Sequence, residues 1–204
     1  MPRDGQLLEL AVALRLRHVD VLAIAGHEIP AALTPAEFRA HRQVEAVLRA
    51  AWSCSNDVIA ELCEYARSLP RQPGSDDRKS IPALAEPTFG PVFGRLMHLR
   101  NVDRRLLARI TGSAETTVNM MMHGARVPAV ERVFGIAAAL GLRGDDVDAM
   151  AGHPNSVPPV DAPLLKYLAA FQALGELVCA LVPLRSEQLD AVAARAKSLG
   201  GDGR

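Results

Sequence analysis

The amino-acid sequence predicts an all-α protein, and three observations support that fold class. Hydrophobic residues make up 49% of the chain, whereas aromatic residues make up only 4%. Alanine and leucine dominate, which suits the close packing of helical bundles. Apolar residues recur at helical spacing along most of the chain, and no stretch shows the regularly spaced β-branched strands of a sheet. We therefore expect helices throughout.

Charge and cysteine usage limit the classes of function. The formal net charge is zero, so a nucleic acid could bind only at a local basic patch. Cys54, Cys63 and Cys179 lack the spacing of a zinc site, and we expect them to be buried apolar residues. The first residues lack the hydrophobic region of a signal peptide, and no apolar run approaches membrane-spanning length. We expect a cytoplasmic protein without a membrane partner, a cofactor or a metal.

An internal repeat divides the chain into two related units. Residues 10–27 read LAVALRLRHVDVLAIAGH and residues 136–153 read IAAALGLRGDDVDAMAGH, with 11 of 18 positions identical at an offset of 126. The likeness returns at an offset of 130, where residues 59–69 align with residues 189–199. We define residues 1–69 as unit one and residues 89–204 as unit two.

Unit one is predicted to be a truncated helical unit, related to the later part of unit two. Its helices are predicted at residues 6–15, at residues 18–25, after a capping box at residues 34–37, and from Ser55 or Asn56 to about Leu69. Phe38 and Trp52 are among the side chains expected to face inward in the third helix. Counterparts of residues 89–135 would precede residue 1. Either unit one lost them after duplication, or the start codon lies upstream.

Unit two follows a segment, residues 70–88, whose proline, glycine, serine and charge predict a linker. Residues 89–152 are predicted to form five helices: one over residues 89–100, two within residues 103–124, one introduced by Pro128 and one from Gly144. Residues 153–204 are predicted to form a tail hairpin, with a proline-rich loop over residues 153–159 and helices over residues 163–181 and 186–199.

The stretch Asp103–Gly124 is predicted to be two short helices joined by a tight turn. The predicted inward side chains are Leu106, Leu107, Ile110, Val118 and Met121. Gly112 lies where the chain must turn, and glycine accepts positive φ without steric cost. Gly124 is the expected C-terminal cap of the second helix. Two helices joined by a short glycine-containing turn describe a helix-turn-helix.

Residues 93–150 resemble the phage-repressor-type (XRE-like) helix-turn-helix family. The segments that carry the resemblance are, in order, FGRLMHLR, DRRLLARITGS, TTVN, GARVP and IAAALGL. Residues 10–25 resemble the end of the same domain. The resemblance implies a compact five-helix domain whose third helix enters the DNA major groove, while the start of its second helix contacts phosphates.

The resemblance also implies which residues would contact DNA. By position they are Arg104, Arg105, Thr116, Thr117, Asn119, Met120, His123 and Arg126. Asn119 could pair with adenine, and Thr116 or Met120 could contact a thymine methyl group. Two residues depart from the family pattern: Ala114 replaces the usual serine cap, leaving Ser113 as a candidate, and Glu115 would face phosphate.

Two function hypotheses remain. Six arginines stand against Asp103 and Glu115 between residues 89 and 126, which favours a transcriptional regulator that binds double-stranded DNA. The tail helices could pack on the helix-turn-helix core, on unit one or across a dimer. Because repressor-type domains usually act as dimers, we expect a homodimer and favour the third position. The alternative is a protein-interaction or regulatory module on a degenerate scaffold, with a partner bound through unit one. No motif groups catalytic side chains, so we do not expect an enzyme.

Overall fold

The computed structural model describes residues 4–70, 79–153 and 162–201. These residues form eleven α-helices and one short 3-10 turn, with no sheet, so the predicted all-α class is confirmed. The helices are α1 (Asp4–Leu14), α2 (His18–Ile24), α3 (His41–Ala51), α4 (Asn56–Ser68), α5 (Phe89–His98), α6 (Arg104–Thr111), α7 (Glu115–Met122), α8 (Val130–Ala139), α9 (Gly144–Met150), α10 (Ala162–Leu181) and α11 (Ser186–Gly201). Part of the predicted linker (residues 71–78) and of the predicted proline-rich loop (residues 154–161) lies outside the described residues.

The repeated segments have the same local structure in both units. Helices α1 and α2 of unit one correspond to α8 and α9 of unit two. The turn between each pair is closed by equivalent hydrogen bonds, 2.9 Å from Leu16 N to Ala11 O and 2.8 Å from Leu142 N to Ala137 O. Each second helix begins with the same arginine–aspartate pair, and the glycine after each second helix has φ near 73° or 74°. The repeat therefore encodes one local structure twice.

The tail helices pack crosswise on unit one. Helix α10 corresponds to α3, and α11 corresponds to α4. In the structure α11 packs mainly on α3, whereas α10 packs on α4 and, nearly as extensively, on α8. The buried side chains of this four-helix arrangement include Val47, Leu62, Leu177 and Val192. Of the three predicted positions for the tail, the structure therefore shows packing on unit one, with α10 also on α8, and not the favoured packing across a dimer.

One close helix crossing in unit two has no equivalent in unit one. Helix α10 crosses α8 where Gly175 meets Ala138 and Gly141: a Cβ atom at Gly175 would lie 1.8 Å from Ala138 O and 2.7 Å from Gly141 N. By the offsets of the repeat, Gly141 and Gly175 correspond to Arg15 and Glu45. Their side chains would fill the space that this approach requires, so α3 cannot cross α1 as α10 crosses α8.

The predicted capping box at residues 34–37 is wrong. Helix α3 begins only at His41, and the Thr34 hydroxyl donates to Ala31 O at 2.7 Å within the 3-10 turn. The Glu37 carboxylate instead accepts hydrogen bonds from Ser186 N at 3.0 Å and Ser186 Oγ at 2.8 Å. A carboxylate at the start of α11 satisfies a free N–H group and suits the positive end of the helix. Glu37 therefore caps a distant helix.

The outcomes for single side chains in unit one are mixed. Ser55 caps α4 by accepting from Val58 N, as predicted. Phe38 is only half-buried and stacks on His98 with ring centroids 4.8 Å apart. Trp52 is 49% exposed, so its predicted inward position is wrong. It lies just beyond the last residue of α3, where the helical pattern no longer fixes its direction.

The cysteines match their predicted apolar role only in part. All three are free thiols. Cys63 is buried, and burial raises the pKa of its thiol to about 11. Cys54 and Cys179 are half-buried. Because the thiolate is the reactive form, Cys63 has the character of a core residue.

A buried ion pair joins α5 to unit one. Arg100 is fully buried, and its Nη2 lies 3.0 Å from Asp20 Oδ1 on α2. Arg100 also donates to Leu140 O and to Leu96 O. Burial opposes ionisation of Asp20, but the charge of Arg100 and the hydrogen bonds from Arg17 outweigh it, so the pKa of Asp20 lies below its ordinary value. The pair holds the start of unit one and the centre of unit two together.

A second buried arginine, Arg95, contacts both unit one and the segment of residues 79–87. Arg95 Nη2 donates to His27 O and, at 3.0 Å, to Pro82 O. Ile81 of this segment also forms an isolated β-bridge with Ile29 of unit one. Residues 79–87, which the sequence predicts as linker, therefore lie against unit one.

The repeat supplies a matched test of the buried pair. Asp20→Asn should lower the free energy of unfolding at pH 7 by about 3–5 kcal/mol, because it leaves the buried charge of Arg100 uncompensated. Asp146→Asn removes the equivalent carboxylate of unit two, whose partner Arg143 is exposed, and should cost less than about 1 kcal/mol. Urea denaturation of both variants measures the difference.

The pH dependence gives a second measure of the same pair. The folded-state pKa of Asp20 is lowered. Its contribution to the free energy of unfolding is therefore complete above the unfolded pKa of about 4, and it is lost as the pH falls from there through the folded-state pKa. The wild-type chain should lose more stability between pH 5 and pH 3 (roughly this window) than Asp20→Asn does. If Asp20→Asn and Asp146→Asn lowered the free energy of unfolding equally at pH 7, the assigned role of the Arg100–Asp20 pair would be contradicted.

Candidate nucleic-acid interface

Helices α6 and α7 have the internal arrangement that the sequence predicts. Asp103 caps α6 by accepting from Leu106 N at 2.7 Å. The predicted inward residues are all buried: Leu106, Leu107, Ile110, Val118 and Met121. Gly112 ends α6 with φ 61°, and Gly124 follows α7 with φ 69°. Three residues, Gly112–Ala114, therefore separate two short helices that pack on each other.

The start of α7 differs from the expectation for Ser113. Ala114 occupies the N-cap position, and no side chain caps the helix. The Ser113 hydroxyl instead accepts hydrogen bonds from Arg132 Nη1 at 2.7 Å and from Thr111 Oγ1 at 3.0 Å. Arg132 thus ties α8 to the turn before α7. Arg132 lies between the segments GARVP and IAAALGL that carry the resemblance, and no pattern in the sequence marks it as a contact to Ser113.

The eight residues selected as DNA contacts are accessible. Thr117 and Asn119 are half-buried, and the others are exposed: Arg104, Arg105, Thr116, Met120, His123 and Arg126. Four of them recur at helical spacing on α7, on the side away from Val118 and Met121: Thr116, Asn119, Met120 and His123. We call these four the outer face of α7.

Two hydrogen bonds organise the outer face. Arg104 Nη1, at the start of α6, donates to Asn119 Oδ1 at 3.3 Å. The ring Nδ1 of His123 lies 2.8 Å from Asn119 O. Asn119 is therefore joined to the arginine that the resemblance assigns to phosphate contact, and the side chain of Arg104 lies beside α7.

The arginines of residues 89–126 do not all contribute to this surface. Arg95 and Arg100 are buried in the contacts described above, and Arg109 pairs with Glu45 of α3. The expectation that the six arginines concentrate positive charge on the candidate interface is therefore wrong for half of them. A sequence count includes every charge, whereas a buried or paired guanidinium adds little to the surface potential. Arg104, Arg105 and Arg126 remain exposed.

A wide depression lies beside the start of α6. It has a volume of about 830 Å³, and its lining includes Arg104, Arg105, His41 and His98. Asp103 and Glu115 also line it, so two carboxylates lie in the same depression as the exposed Arg104 and Arg105.

Comparison of the chain with protein-family models, curated proteins and solved structures gave no match. Within the described residues, no helix is long and apolar enough to cross a membrane. The same part of the chain contains no group of three His, Cys, Asp or Glu side chains arranged to hold a metal ion.

A close approach of α5 fixes the end of α7. A Cβ atom at Gly90 would lie 2.4 Å from Gly124 N and 3.0 Å from Met121 O. Both atoms belong to the backbone, so they cannot move aside as a flexible side chain can. Gly94, one turn later on α5, has only Met122 Cε nearby, at 3.8 Å. Gly90 therefore sets where the outer face of α7 stands relative to α5.

These two glycines form a matched pair of tests. Gly90→Ala should lower the free energy of unfolding by about 1–3 kcal/mol, the cost of an overpacked contact. Gly94→Ala should be neutral or stabilise by up to about 1 kcal/mol, because alanine has the higher helix propensity. Thermal and urea denaturation measure both effects. A Gly90→Ala variant as stable as Gly94→Ala would show that α5 and α7 do not approach in this way.

Proposed function

We propose that the chain is a transcriptional regulator that binds double-stranded DNA through the outer face of α7. The observation that carries the proposal is the position of three exposed arginines around that face. Arg104 touches Asn119, Arg105 follows it on α6, and Arg126 comes just after α7. In a helix-turn-helix complex the second helix of the pair enters the major groove while the first contacts the backbone. The polar outer face and the flanking arginines suit these two roles.

The electrostatics support modest, salt-sensitive binding. Each phosphate that an arginine neutralises contributes roughly −0.9 to the slope of log affinity against log salt. Only three of the selected residues are arginines, and Glu115 opposes them at the start of α7. The base contacts are then made by Asn119, whose amide can pair with adenine, and by Thr116 or Met120, which can contact a thymine methyl group.

Arg104→Gln tests the phosphate role. The variant should weaken binding to every DNA sequence and make the log–log salt slope shallower by about 0.9, the loss of one phosphate contact. Fluorescence anisotropy with labelled duplexes over a series of salt concentrations measures both quantities. Arg195→Gln is the matched control, because Arg195 is an exposed arginine that pairs with Glu61 between α11 and α4. It should leave binding unchanged.

Asn119→Ala should behave differently from Arg104→Gln. Loss of the amide should relax preference at one base pair by about 1–3 kcal/mol and should leave affinity for other sequences nearly unchanged. Selection of bound fragments from random duplexes identifies that position. Absence of DNA binding at low salt by the folded chain would overturn the proposal.

We further propose that the chain acts as a homodimer through α1. Four large apolar side chains on this helix are exposed: Leu8, Leu10, Val12 and Leu14. Their counterparts on α8 are buried or half-buried under α6 and α10: Phe134, Ile136, Ala138 and Leu140. Helix α1 packs mainly on α2 and lacks such cover. A helix that is apolar around most of its circumference is normally buried.

A second copy of the chain is the occupant that fits this surface. The faces of the tail helices that pack on α3 and α4 are already covered within the chain. The described residues hold one α6–α7 pair, whereas repressor-type recognition uses two pairs about 34 Å apart on the DNA. A two-fold axis beside α1 would let the same apolar surface cover itself in both copies.

Val12→Glu tests the dimer. Val12 is 75% exposed, so glutamate should leave the folded chain intact while placing two like charges in the interface. Size-exclusion chromatography with light scattering should change from dimer to monomer. Ala60→Glu, at an exposed position on α4, is the control and should remain dimeric. A monomeric wild-type chain, or a Val12→Glu variant that stays dimeric, would overturn the role of α1.

The second candidate function is a protein-interaction module on the same scaffold. The burial of Arg95 and Arg100 and the pairing of Arg109 with Glu45 favour it, since these charges contribute less to DNA binding. The exposed Glu115 favours it as well. A folded chain that fails to bind DNA at low salt, yet holds a defined protein partner equally well with and without Arg104→Gln, would support this candidate.

A further inference from the structure

A cavity between α3 and α6 lies apart from the outer face of α7. It has a volume of about 340 Å³, within the range of small-molecule sites. Its lining is mostly apolar, from Leu48 on α3 and from Leu106 and Ile110 on α6. Trp52 forms a further part of the lining. We call this space the Trp52 cavity.

Trp52 is an unusual residue to leave in contact with water. Its side chain is 49% exposed, and its indole ring meets Phe171 edge to face with centroids 5.9 Å apart. That contact fixes one side of the ring. Covering the exposed remainder would remove a large apolar surface from water, which is the main source of affinity for an apolar ligand.

The rim of the cavity carries an excess of positive charge. Glu45 Oε1 accepts hydrogen bonds from Arg49 at 3.0 Å and from Arg109. Glu45 is half-buried, whereas both arginines are exposed. Burial opposes ionisation of Glu45, but hydrogen bonds from Arg49 and Arg109 outweigh it, so its pKa lies below the ordinary value. Two guanidinium groups therefore face one carboxylate.

The arginines have donors to spare. A guanidinium carries five N–H donors in a planar fork, and the contacts to Glu45 use one nitrogen of each arginine. The fork matches the geometry of a carboxylate, as it does that of a phosphate. A second carboxylate at the rim would restore charge balance, whereas a cation would add to the excess.

We propose that the Trp52 cavity binds a small apolar carboxylate, with its hydrocarbon part against Trp52, Leu106 and Ile110 and its carboxylate on Arg109. The apolar lining selects the hydrocarbon part, and the charge excess at the rim selects the anion. This assignment does not depend on DNA binding. The cavity nevertheless lies on α6, the same helix that begins with Arg104 and Arg105.

Intrinsic fluorescence reports the site directly, because Trp52 is the only tryptophan of the chain. The probe is cyclohexanecarboxylate, which is transparent at the excitation wavelength and ionised at neutral pH; cyclohexanecarboxamide is its neutral match. Titration at constant ionic strength should give a saturable change in Trp52 emission with the carboxylate. The amide should bind about tenfold more weakly, as expected for loss of a charge-assisted hydrogen bond.

Substitutions at the rim separate the two parts of the proposal. Arg109→Gln should weaken carboxylate binding by about tenfold and leave the amide unchanged. Glu45→Gln should tighten carboxylate binding, because it removes the competing anion. Arg195→Gln breaks an exposed arginine–glutamate pair whose residues do not line the cavity, and it should change the affinity for neither ligand. Circular dichroism checks that each variant is folded, and ligand-detected NMR gives a second readout of binding.

Three results would overturn the proposal. One is the absence of saturable binding in both fluorescence and NMR. Another is equal affinity for the carboxylate and the amide, which would leave only an unselective apolar cavity. The third is a Trp52 emission change that follows protein concentration and ignores the ligand, which would place a second copy of the chain on this surface.

Discussion

The buried ion pair between Arg100 and Asp20 is the interaction on which the arrangement of the two units depends. It joins residues 80 positions apart in the chain, one at the end of α5 and one on α2. The same guanidinium also bonds Leu140 O at the end of α8. Burying a charge costs least when the charge is paired and its donors are used, so this site tolerates few alternative packings. Helix α5 also packs on α7, so the same core positions the outer face of α7.

The duplication explains why the chain is asymmetric as well as why it repeats. Both units retain the arginine–aspartate pair, but only Asp20 is also bound by a buried arginine. Arg15 and Glu45 stand where Gly141 and Gly175 allow α10 to cross α8. That difference leaves α1 uncovered and leaves Glu45 free to meet Arg49 and Arg109. A few side chains have thus given the two copies different surroundings.

The candidate interface shows how tertiary packing divides one kind of residue among different roles. Within residues 89–126, arginines serve as a buried ion-pair partner, as a clamp on backbone carbonyls, as a surface pair with α3, or as free surface charge. The position of each in the fold decides its role, because removing one partner of a buried ion pair costs far more than removing one partner of a surface pair. The arginines proposed to contact DNA are those that are neither buried in the core nor paired with α3.

The sequence by itself determined the features that depend on neighbours a few residues away. Helical spacing identified the buried residues of α6 and α7, glycine chemistry identified Gly112 and Gly124, and the repeat was visible before any fold was known. Only the tertiary structure decided that Glu37 caps α11, that the tail packs on unit one and that Arg100 is buried. Local patterns constrain φ, ψ and one face of a helix. Partners far apart in sequence are chosen by packing and desolvation, which depend on the whole fold.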